Sequence, residues 1–435
     1  MRLRTLSLAV LSVISLSAYA DTSPNANLQD QVNALQNQIN GLQSQIASMN
    51  KSTAISSGVI MTDFSSPFGM LNDPQFALGV LQSKATLNTP VVLGGSLEAD
   101  LQTWGGSFSQ TLPSGETYKD GSAFSLTGAE LYTMANMGDW VTGLLGLQGN
   151  VAGNAGSPMT FDKAFLLVGN LQKNPLFITL GQIYLPFGLF NGNGPWSNNL
   201  DTDAFRISKT NQVTLNFYQK GLYSSFAWFN TSANPSSLSD FTYNLGYATS
   251  GTFNYSVGAG YLYDIRDTNS GIGAAYPANG VGGNTTPTTS TISGNRNGAF
   301  DLNASIAYGH YNLLGEYDFT ERGANTNTGE TTGPMGAWNI AAGYGTMLWN
   351  IPTNFQLSYS ATENMADVAT PLWGMVNVGP QSQTTDDNAG VQHNWIVSMS
   401  NQFWTNVYLS PEYQYSTMYN GEHTWTLTYD FSAYF

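Results

Sequence analysis

A strict two-residue alternation of side chains constrains this chain more than any other feature. In the segment 241–264, FTYNLGYATSGTFNYSVGAGYLYD, Phe, Tyr and Leu occupy alternate positions on both sides of Ser250-Gly251, and Thr, Asn, Ser and Gly lie between them. This is the pattern of a β-hairpin with one apolar face. Similar segments continue from residue 91 to the C-terminus, so the sequence predicts an all-β fold over residues 91–435.

Composition separates the two kinds of β-protein that alternate in this way. A soluble sandwich alternates because one face of each sheet packs on a core. Here only 9% of the residues are charged, compared with roughly 25% in an average soluble domain. The mean hydropathy of −0.17 is too low for a helical membrane protein, and no apolar run after the N-terminus approaches the roughly 20 residues of a membrane helix. A transmembrane β-barrel fits both observations, because its lipid-facing and lumen-facing residues alternate.

The last segment supports the barrel. In 423–435, HTWTLTYDFSAYF, one face is apolar up to the terminal Phe435, and the other carries Thr, Asp and Ser. A C-terminal strand that ends on an aromatic residue resembles the assembly signal of bacterial outer-membrane barrels. The sequence therefore predicts the bacterial outer membrane as the location, with membrane lipids and lipopolysaccharide as partners.

Counting the alternating segments predicts about 16 antiparallel strands, and closed single-chain barrels have an even number. Short connections, at 138–139, 219–220, 250–251, 309–311 and 400–402, alternate with long ones such as 186–203, 265–297 and 363–388. The predicted strands are 91–104, 122–137, 139–152, 161–170, 175–185, 204–218, 221–230, 240–249, 252–264, 298–308, 312–320, 335–347, 353–362, 389–399, 403–416 and 423–435.

A barrel of this size keeps an aqueous lumen, and its predicted inward positions are acidic. The lumen-facing acids are Glu98, Asp100, Asp301, Glu316, Asp318 and Asp430. They predict a preference for cations, although carboxylates on a solvated face are the alternative interpretation. Four arginines in or beside the outer loops, Arg206, Arg266, Arg296 and Arg322, are candidates for binding an anionic solute or a lipopolysaccharide phosphate; a structural or solubilising role is the alternative.

The N-terminal segments predict export and self-association. Residues 1–20 read as a cleaved signal peptide, with an apolar stretch that ends at Ala18-Tyr19-Ala20. Residues 21–50 predict a short coiled-coil helix that forms a homo-oligomer, or alternatively a lone amphipathic helix on the barrel. Residues 51–90 form a linker, of which Pro74–Leu81 can fold into the lumen. The coiled-coil seam is Leu28, Val32, Leu35, Ile39, Leu42, Ile46 and Met49.

Several functional classes are disfavoured. The chain has no cysteine, and its net charge of −15 opposes a nucleic-acid partner. Of its three histidines, His393 is predicted on the lipid face with Val391, near the outer rim, where a barrel lipase would carry its base, but no Ser and Asn complete a triad. No metal site is predicted beyond a weak cation-binding option at Asp386-Asp387. We therefore expect neither an enzyme nor a cofactor.

A family resemblance covers essentially the whole chain. The Gln- and Asn-rich N-terminal helix, FSSPFGMLNDPQFALGVLQSK, VVLGGSLEADLQTW, LGQIYLPFGLF and the C-terminal strand resemble the LbtU-type (legiobactin-receptor-like) siderophore porin family. The resemblance implies an outer-membrane receptor that takes up iron bound to a polycarboxylate siderophore, or iron itself. Because residues 51–90 are too few for the plug domain of classical siderophore receptors, such uptake would proceed without that plug. The alternative is a general-diffusion porin or a structural surface barrel.

Overall fold

The computed structural model describes residues 76–83, 91–107, 110–111, 117–118, 120–149, 160–192, 194–207, 209–231, 238–249, 251–266, 268–275, 292–293, 296–323, 325–326, 332–366 and 390–435. The predicted signal peptide, the coiled coil with its seam residues, and Asp386-Asp387 lie outside these residues.

The described part of the chain is almost entirely β-structure. Its strands are β1 Val91–Gly106, β2 Gln110–Thr111, β3 Thr117–Tyr118, β4 Gly121–Met137, β5 Val141–Gly149, β6 Thr160–Gly169, β7 Leu176–Ile183, β8 Thr210–Gln219, β9 Leu222–Asn230, β10 Leu238–Ala248, β11 Phe253–Leu262, β12 Ile292–Ser293, β13 Ala299–Tyr308, β14 Tyr311–Thr320, β15 Asn325–Thr326, β16 Gly336–Leu348, β17 Ile351–Glu363, β18 Val391–Trp404, β19 Val407–Met418 and β20 His423–Tyr434. Its helices are α1 Phe76–Ser83, α2 Leu200–Phe205 and α3 Gly271–Ala275.

Sixteen of the described strands close into an antiparallel barrel. Each barrel strand pairs with its neighbours along the chain, and β1 pairs with β20 to close the wall. Strands β2 and β3, and strands β12 and β15, form two small two-stranded sheets that are separate from the barrel sheet. The predicted barrel of about 16 antiparallel strands is therefore confirmed.

The two ends of the barrel differ in their connections. At one end, which we call the turn end, the strands are joined at 138–140, 170–175, 220–221, 249–252, 309–310, 349–350 and 405–406. At the other, which we call the loop end, most connections are longer, including 184–209, 263–298 and 364–390. Strand β1 begins and strand β20 finishes at the turn end. This is the asymmetry of transmembrane barrels, whose periplasmic turns are short and whose extracellular loops are long.

The outer wall of the barrel is apolar. Along β7, Leu176, Ile178 and Leu180 are exposed, whereas Phe177 and Thr179 between them are buried. The same alternation leaves large apolar side chains exposed on other strands, among them Leu101, Leu215, Val257, Leu313, Leu357 and Val397. An apolar band of this extent is expected of a wall that contacts lipid. None of the helices in the described residues has the length and hydropathy needed to cross a bilayer.

Two apolar clusters lie on the inner side of the wall, at opposite ends. At the turn end, Ala77, Leu78 and Leu81 of α1 pack with inward side chains of β4 to β7, including Phe165 and Phe177. At the loop end, side chains from 184–209 pack with inward residues of β9, β11, β13 and β16. The interior is therefore polar only in part, because it also receives chain segments that bury apolar side chains.

Three local predictions differ from the structure. Strand β8 begins at Thr210 rather than at 204, because 200–205 forms α2. The predicted turn at 400–402 is wrong: β18 continues to Trp404, and the chain reverses at Thr405-Asn406, where Asn406 has a φ of 64°. A register shift between Val391 and His393 buries Val391, which the alternation had predicted on the lipid face beside His393.

Candidate channel constriction

The connection between β7 and β8, residues 184–209, enters the barrel; we call it the lumen loop. Its first half contacts β8 and β10 through the carbonyls of Tyr184 and Pro186, which accept from Gln212 at 2.9 Å and Thr242 at 3.4 Å. Its middle contacts the far wall, formed by β14, β16, β17 and β19. The lumen loop therefore crosses the barrel interior and narrows the lumen.

Two glutamates of the far wall hold the lumen loop by its backbone. Glu412 of β19 accepts the N–H groups of Trp196 at 3.0 Å and Ser197 at 2.9 Å, one on each carboxyl oxygen. Glu316 of β14 accepts the N–H of Leu189 at 2.5 Å and that of Phe190 at 2.8 and 3.0 Å. Irregular backbone inside a barrel needs such partners, since a buried N–H without an acceptor is costly.

Polar side chains of β17 complete the attachment. Gln356 donates to the carbonyl of Gly192 at 2.5 Å, and Asn199 of the loop donates to the same carbonyl at 2.8 Å. Ser358 donates to Asn199 at 3.0 Å, and Ser360 accepts the N–H of Leu200 at 3.2 Å. The loop is thereby held at several positions along its length rather than at one point.

Glycine permits the close approach of loop and wall. A Cβ atom at Gly194 would overlap the carboxylate of Glu412. Gly192 has a φ of 81°, in the left-handed region that favours glycine, and a Cβ there would lie 2.7 Å from Ala341. The other side of the loop is apolar: Leu185, Phe187, Phe190, Ala204 and Phe205 are almost fully buried in the loop-end cluster.

Three of the acidic side chains predicted to face the lumen, Asp301, Glu316 and Asp318, point inward and are buried beside the lumen loop. Asp301 and Asp318 are directly opposite each other on β13 and β14, and both are fully buried. Glu316 is adjacent, and Asp201 of α2 contacts the same region, where it accepts a hydrogen bond from Asn339. We call Asp201, Asp301, Glu316 and Asp318 the acidic pocket. Burial, and then the nearby charge of Glu316, raise the pKa of Asp201 well above its ordinary value.

The three remaining predicted acids form a second group on the closing strands. Asp100 of β1 faces Asp430 of β20 in register, and both are buried, whereas Glu98 is half-buried. Thr127 donates to Asp100, and Ser432 donates to Asp430 at 3.0 Å. The sequence thus located acids on the inner wall, but it did not indicate that five of the six predicted lumen-facing acids are buried.

Basic side chains collect on the opposite side of the interior. An extra residue in β6, Asp162, shifts the register against β5, so that Asp162 and Lys163 both point inward. Lys163 and Lys209 pair with Asp162. Lys163, Lys209 and Arg206 lie 5.5, 5.4 and 5.7 Å from the centre of the Tyr184 ring. We call Lys163, Arg206 and Lys209 the basic group.

The four predicted ligand-binding arginines do not form one site. Arg206 belongs to the basic group, and among the described residues it has no carboxylate within ion-pair distance. Arg266 pairs with Asp264 at 2.5 Å, and Arg296 with Glu321 at 3.0 Å. Arg322 is exposed at the loop end. Sequence reasoning selected neither Lys163 nor Lys209; for Lys163, a lysine within an alternating strand gives no sign of the bulge that turns it inward.

The histidines lie outside the interior. His393 bonds the Tyr359 hydroxyl at 2.9 Å on the outer face, and His310 lies in a turn beside Tyr344. His423 lies 3.0 Å from the hydroxyl of Ser107, a partner that the sequence did not indicate. None of the three has a carboxylate within ion-pair distance in the described part of the chain, so a triad of the serine-hydrolase type is not assembled there.

Comparison with known families identifies the group to which this barrel belongs. Residues 57–286, more than half of the chain, match the family described as "Protein of unknown function (DUF3573)". The chain belongs to this family. It is also 25% identical over 247 residues to a UPF0422 protein of Legionella pneumophila, which covers 51% of this chain and 43% of that protein. It is 30% identical over 98 residues to a UPF0422 protein of Coxiella burnetii, over 22% of this chain and 21% of that protein. The matches thus span less than half the length of these curated relatives.

Solved porins share the fold of this family member. The anion-selective porin from Comamonas acidovorans superimposes with a TM-score of 0.51 and 12% identity, over 79% of this chain and 99% of the porin. The outer-membrane channel DcaP of Acinetobacter baumannii gives a TM-score of 0.50 and 12% identity, over 79% of this chain and 97% of that channel. The fold is therefore a porin-type barrel.

Proposed function

We propose that this DUF3573 protein is a porin-type channel of the bacterial outer membrane, in which the lumen loop forms the constriction. One observation carries the proposal: a loop that crosses the barrel interior and is held on the far wall by Glu316 and Glu412. A structural barrel has no need of a loop ordered in this way, whereas a selective channel does. The apolar outer wall and the porin-type fold support the membrane location.

The charges at the constriction favour selection by charge. The basic group lies on the β6 side, and the acidic pocket and Glu412 lie towards the far wall. Because the acidic pocket and Glu412 are buried beside the loop, whereas Arg206 is only half-buried, the solute path presents more positive charge than the acid count of the wall suggests. We therefore propose that anionic solutes interact with the constriction, in place of the cation preference predicted from the sequence.

The test is electrical. The purified protein is inserted into planar lipid bilayers, and conductance and reversal potential are measured in a salt gradient. Discrete, ohmic channels with a reversal potential of the sign for anions support the proposal. Protein that is folded and inserted but does not conduct would contradict the channel function, and a cation-selective reversal potential would contradict the role of the basic group.

Uptake of a ferric siderophore or iron is the more specific candidate. The resemblance to siderophore porins and the half-buried Arg206 beside Tyr184 favour it, because guanidinium groups bind carboxylates in bidentate fashion. A ferric polycarboxylate siderophore should block the channel current at micromolar concentrations, whereas the iron-free compound should block it less. Growth of a deletion strain under iron limitation, with and without the reinstated gene, then tests the uptake in the cell. Association through residues 21–50 is proposed alongside and is tested by the mass of the protein with and without them.

A further inference from the structure

We propose that the acidic pocket binds a divalent cation, Ca²⁺ by its chemistry, which links the lumen loop to the barrel wall. The ligands are Asp201 from α2 of the loop, and Glu316 and Asp318 from β14 of the wall. Binding of the ion does not depend on the channel function; only its effect on conductance does.

The first argument is uncompensated charge. Asp301 and Asp318 face each other in register, Glu316 lies two residues before Asp318 on the same strand, and Asp201 approaches from the loop. None of the five ion pairs in the described part of the chain involves these residues. Asp301 and Glu316 are hydrogen-bonded to each other, so a proton is shared there, but Asp318 lies directly opposite Asp301, where like charges are unfavourable. Buried carboxylates must be neutralised by protons or by a cation.

The second argument concerns Asp318, which distinguishes these two means of neutralisation. Its side chain is fully buried, and neither of its oxygens has a hydrogen-bond partner. One oxygen each of Asp201 and Asp301, and the amide oxygen of Asn339, are also buried without a partner. A carboxyl group that shares a proton with a neighbour makes a short hydrogen bond to it, at about 2.5–2.7 Å. Asp318 makes none, so its oxygens are available as ligands.

The third argument is geometric. One carboxylate oxygen from each of Asp201, Glu316 and Asp318 lies within 4.8 Å of the others. Ca²⁺ binds oxygen at about 2.3–2.6 Å, so two ligands of one ion are separated by at most about 5 Å. The donor set contains only oxygen, which suits Ca²⁺ or Mg²⁺ rather than Zn²⁺ or copper. Ca²⁺ is favoured because it tolerates irregular geometry, whereas Mg²⁺ requires a near-octahedral arrangement.

The consequence is a link between two elements that are distant in sequence. Asp201 and Glu316 are separated by more than 100 residues, and they belong to the loop and to the wall. An ion held by both opposes movement of the loop away from β14. It acts at α2, whereas Glu412 acts at Trp196 and Ser197, so the two attachments can be removed separately.

The test measures binding of radiolabelled Ca²⁺ to the full-length protein, refolded in detergent and freed of metals with EDTA. We expect one strongly bound Ca²⁺ per chain, with weaker competition by Mg²⁺. Asp201→Asn and Asp318→Asn should each raise the Kd by roughly tenfold or more, as loss of a charged ligand does. Asp240→Asn, the same change at another buried inward aspartate, is the matched control and should not alter the Kd. Asp201 lies in the loop, so its variant keeps the test valid if Asp318→Asn does not fold.

Each outcome decides the matter. Loss of binding in the two pocket variants, with binding retained in the control, supports the site. Failure of the wild-type protein to bind Ca²⁺, or binding that is unchanged in Asp201→Asn, overturns it. Binding that disappears only in Asp100→Asn also overturns it, because the ion would then belong to the acids of the closing strands. Ca²⁺ binding by a protein that does not conduct would contradict the channel function without contradicting the site.

Discussion

Removing the carboxylate of Glu412 should release the middle of the lumen loop. Glu412 accepts the N–H groups of Trp196 and Ser197, and its side chain is buried. In Glu412→Ala both donors lose their acceptor while the loop stays docked, and each unsatisfied buried donor costs about 1–3 kcal/mol. The docked arrangement is therefore destabilised by roughly 2–6 kcal/mol, or about 30-fold to more than 10,000-fold in the ratio of docked to undocked loop.

The two oxygens of Glu412 allow a graded series. Glu412→Gln keeps one acceptor oxygen and replaces the other by an NH₂ group, which leaves one loop N–H without a partner. Glu412→Gln should therefore destabilise the docked loop by about half as much as Glu412→Ala does, or by roughly 1–3 kcal/mol. Glu363→Gln is the matched control, because Glu363 is exposed at the end of β17 and is not hydrogen-bonded to the loop.

Single-channel recording in planar bilayers provides the assay. We expect larger and noisier open levels in the order wild type, Glu412→Gln, Glu412→Ala, with the control indistinguishable from wild type. Heat-modifiable mobility on gels verifies that each barrel is folded. If folded Glu412→Ala conducts like the wild type, with the same noise, then Glu412 does not hold the loop and the reasoning is wrong.

Three further predictions concern other parts of the interior. Arg206→Ala should lower the anion-to-cation permeability ratio about fivefold, if a surface-like interaction of about 1 kcal/mol is lost; the reversal potential measures this, and exposed Arg322→Ala should change it little. Leu78→Ala should weaken the docking of α1 by about 2–5 kcal/mol, because Leu78 is 4% exposed in the turn-end cluster, and hydrogen exchange of 76–83 should then accelerate; unchanged exchange would refute this packing. In EDTA, loop docking should weaken as the pH rises from about 4, because the pKa of Asp201 is raised in the docked state. The docked loop keeps a proton on Asp201 that the released loop loses. The stabilisation of the docked loop is therefore complete at low pH and is lost as the pH rises through the raised pKa. Channel noise should increase over that range more steeply in the wild type than in Asp201→Asn, in which Glu316 and Glu412 still bind the loop, and added Ca²⁺ should suppress the dependence.

Alternation predicted the wall of the barrel because the sequence of each strand alone shows which of its residues share a face. Leu176, Ile178 and Leu180 lie on the outer face, and Phe177 and Thr179 lie on the inner face. The sequence of this one strand is enough to separate the two sets. Alternation misled the prediction where a bulge or a helix interrupted it. At Asp162 an extra residue changed which side chains point inward, and at 200–205 a helix occupied residues that had been assigned partly to a strand.

The sequence by itself determined the architecture of this protein, because strand periodicity, turn residues and the aromatic C-terminal strand are local properties. Only the tertiary structure decided what fills the barrel. The N–H of Leu189 meets Glu316 across 127 residues of chain, and that of Trp196 meets Glu412 across 216. Nothing local in a glutamate distinguishes one that faces open water from one that holds a loop. The difference arises only when the barrel closes and brings the two segments together, so that Glu316 and Glu412 bind the backbone of the lumen loop.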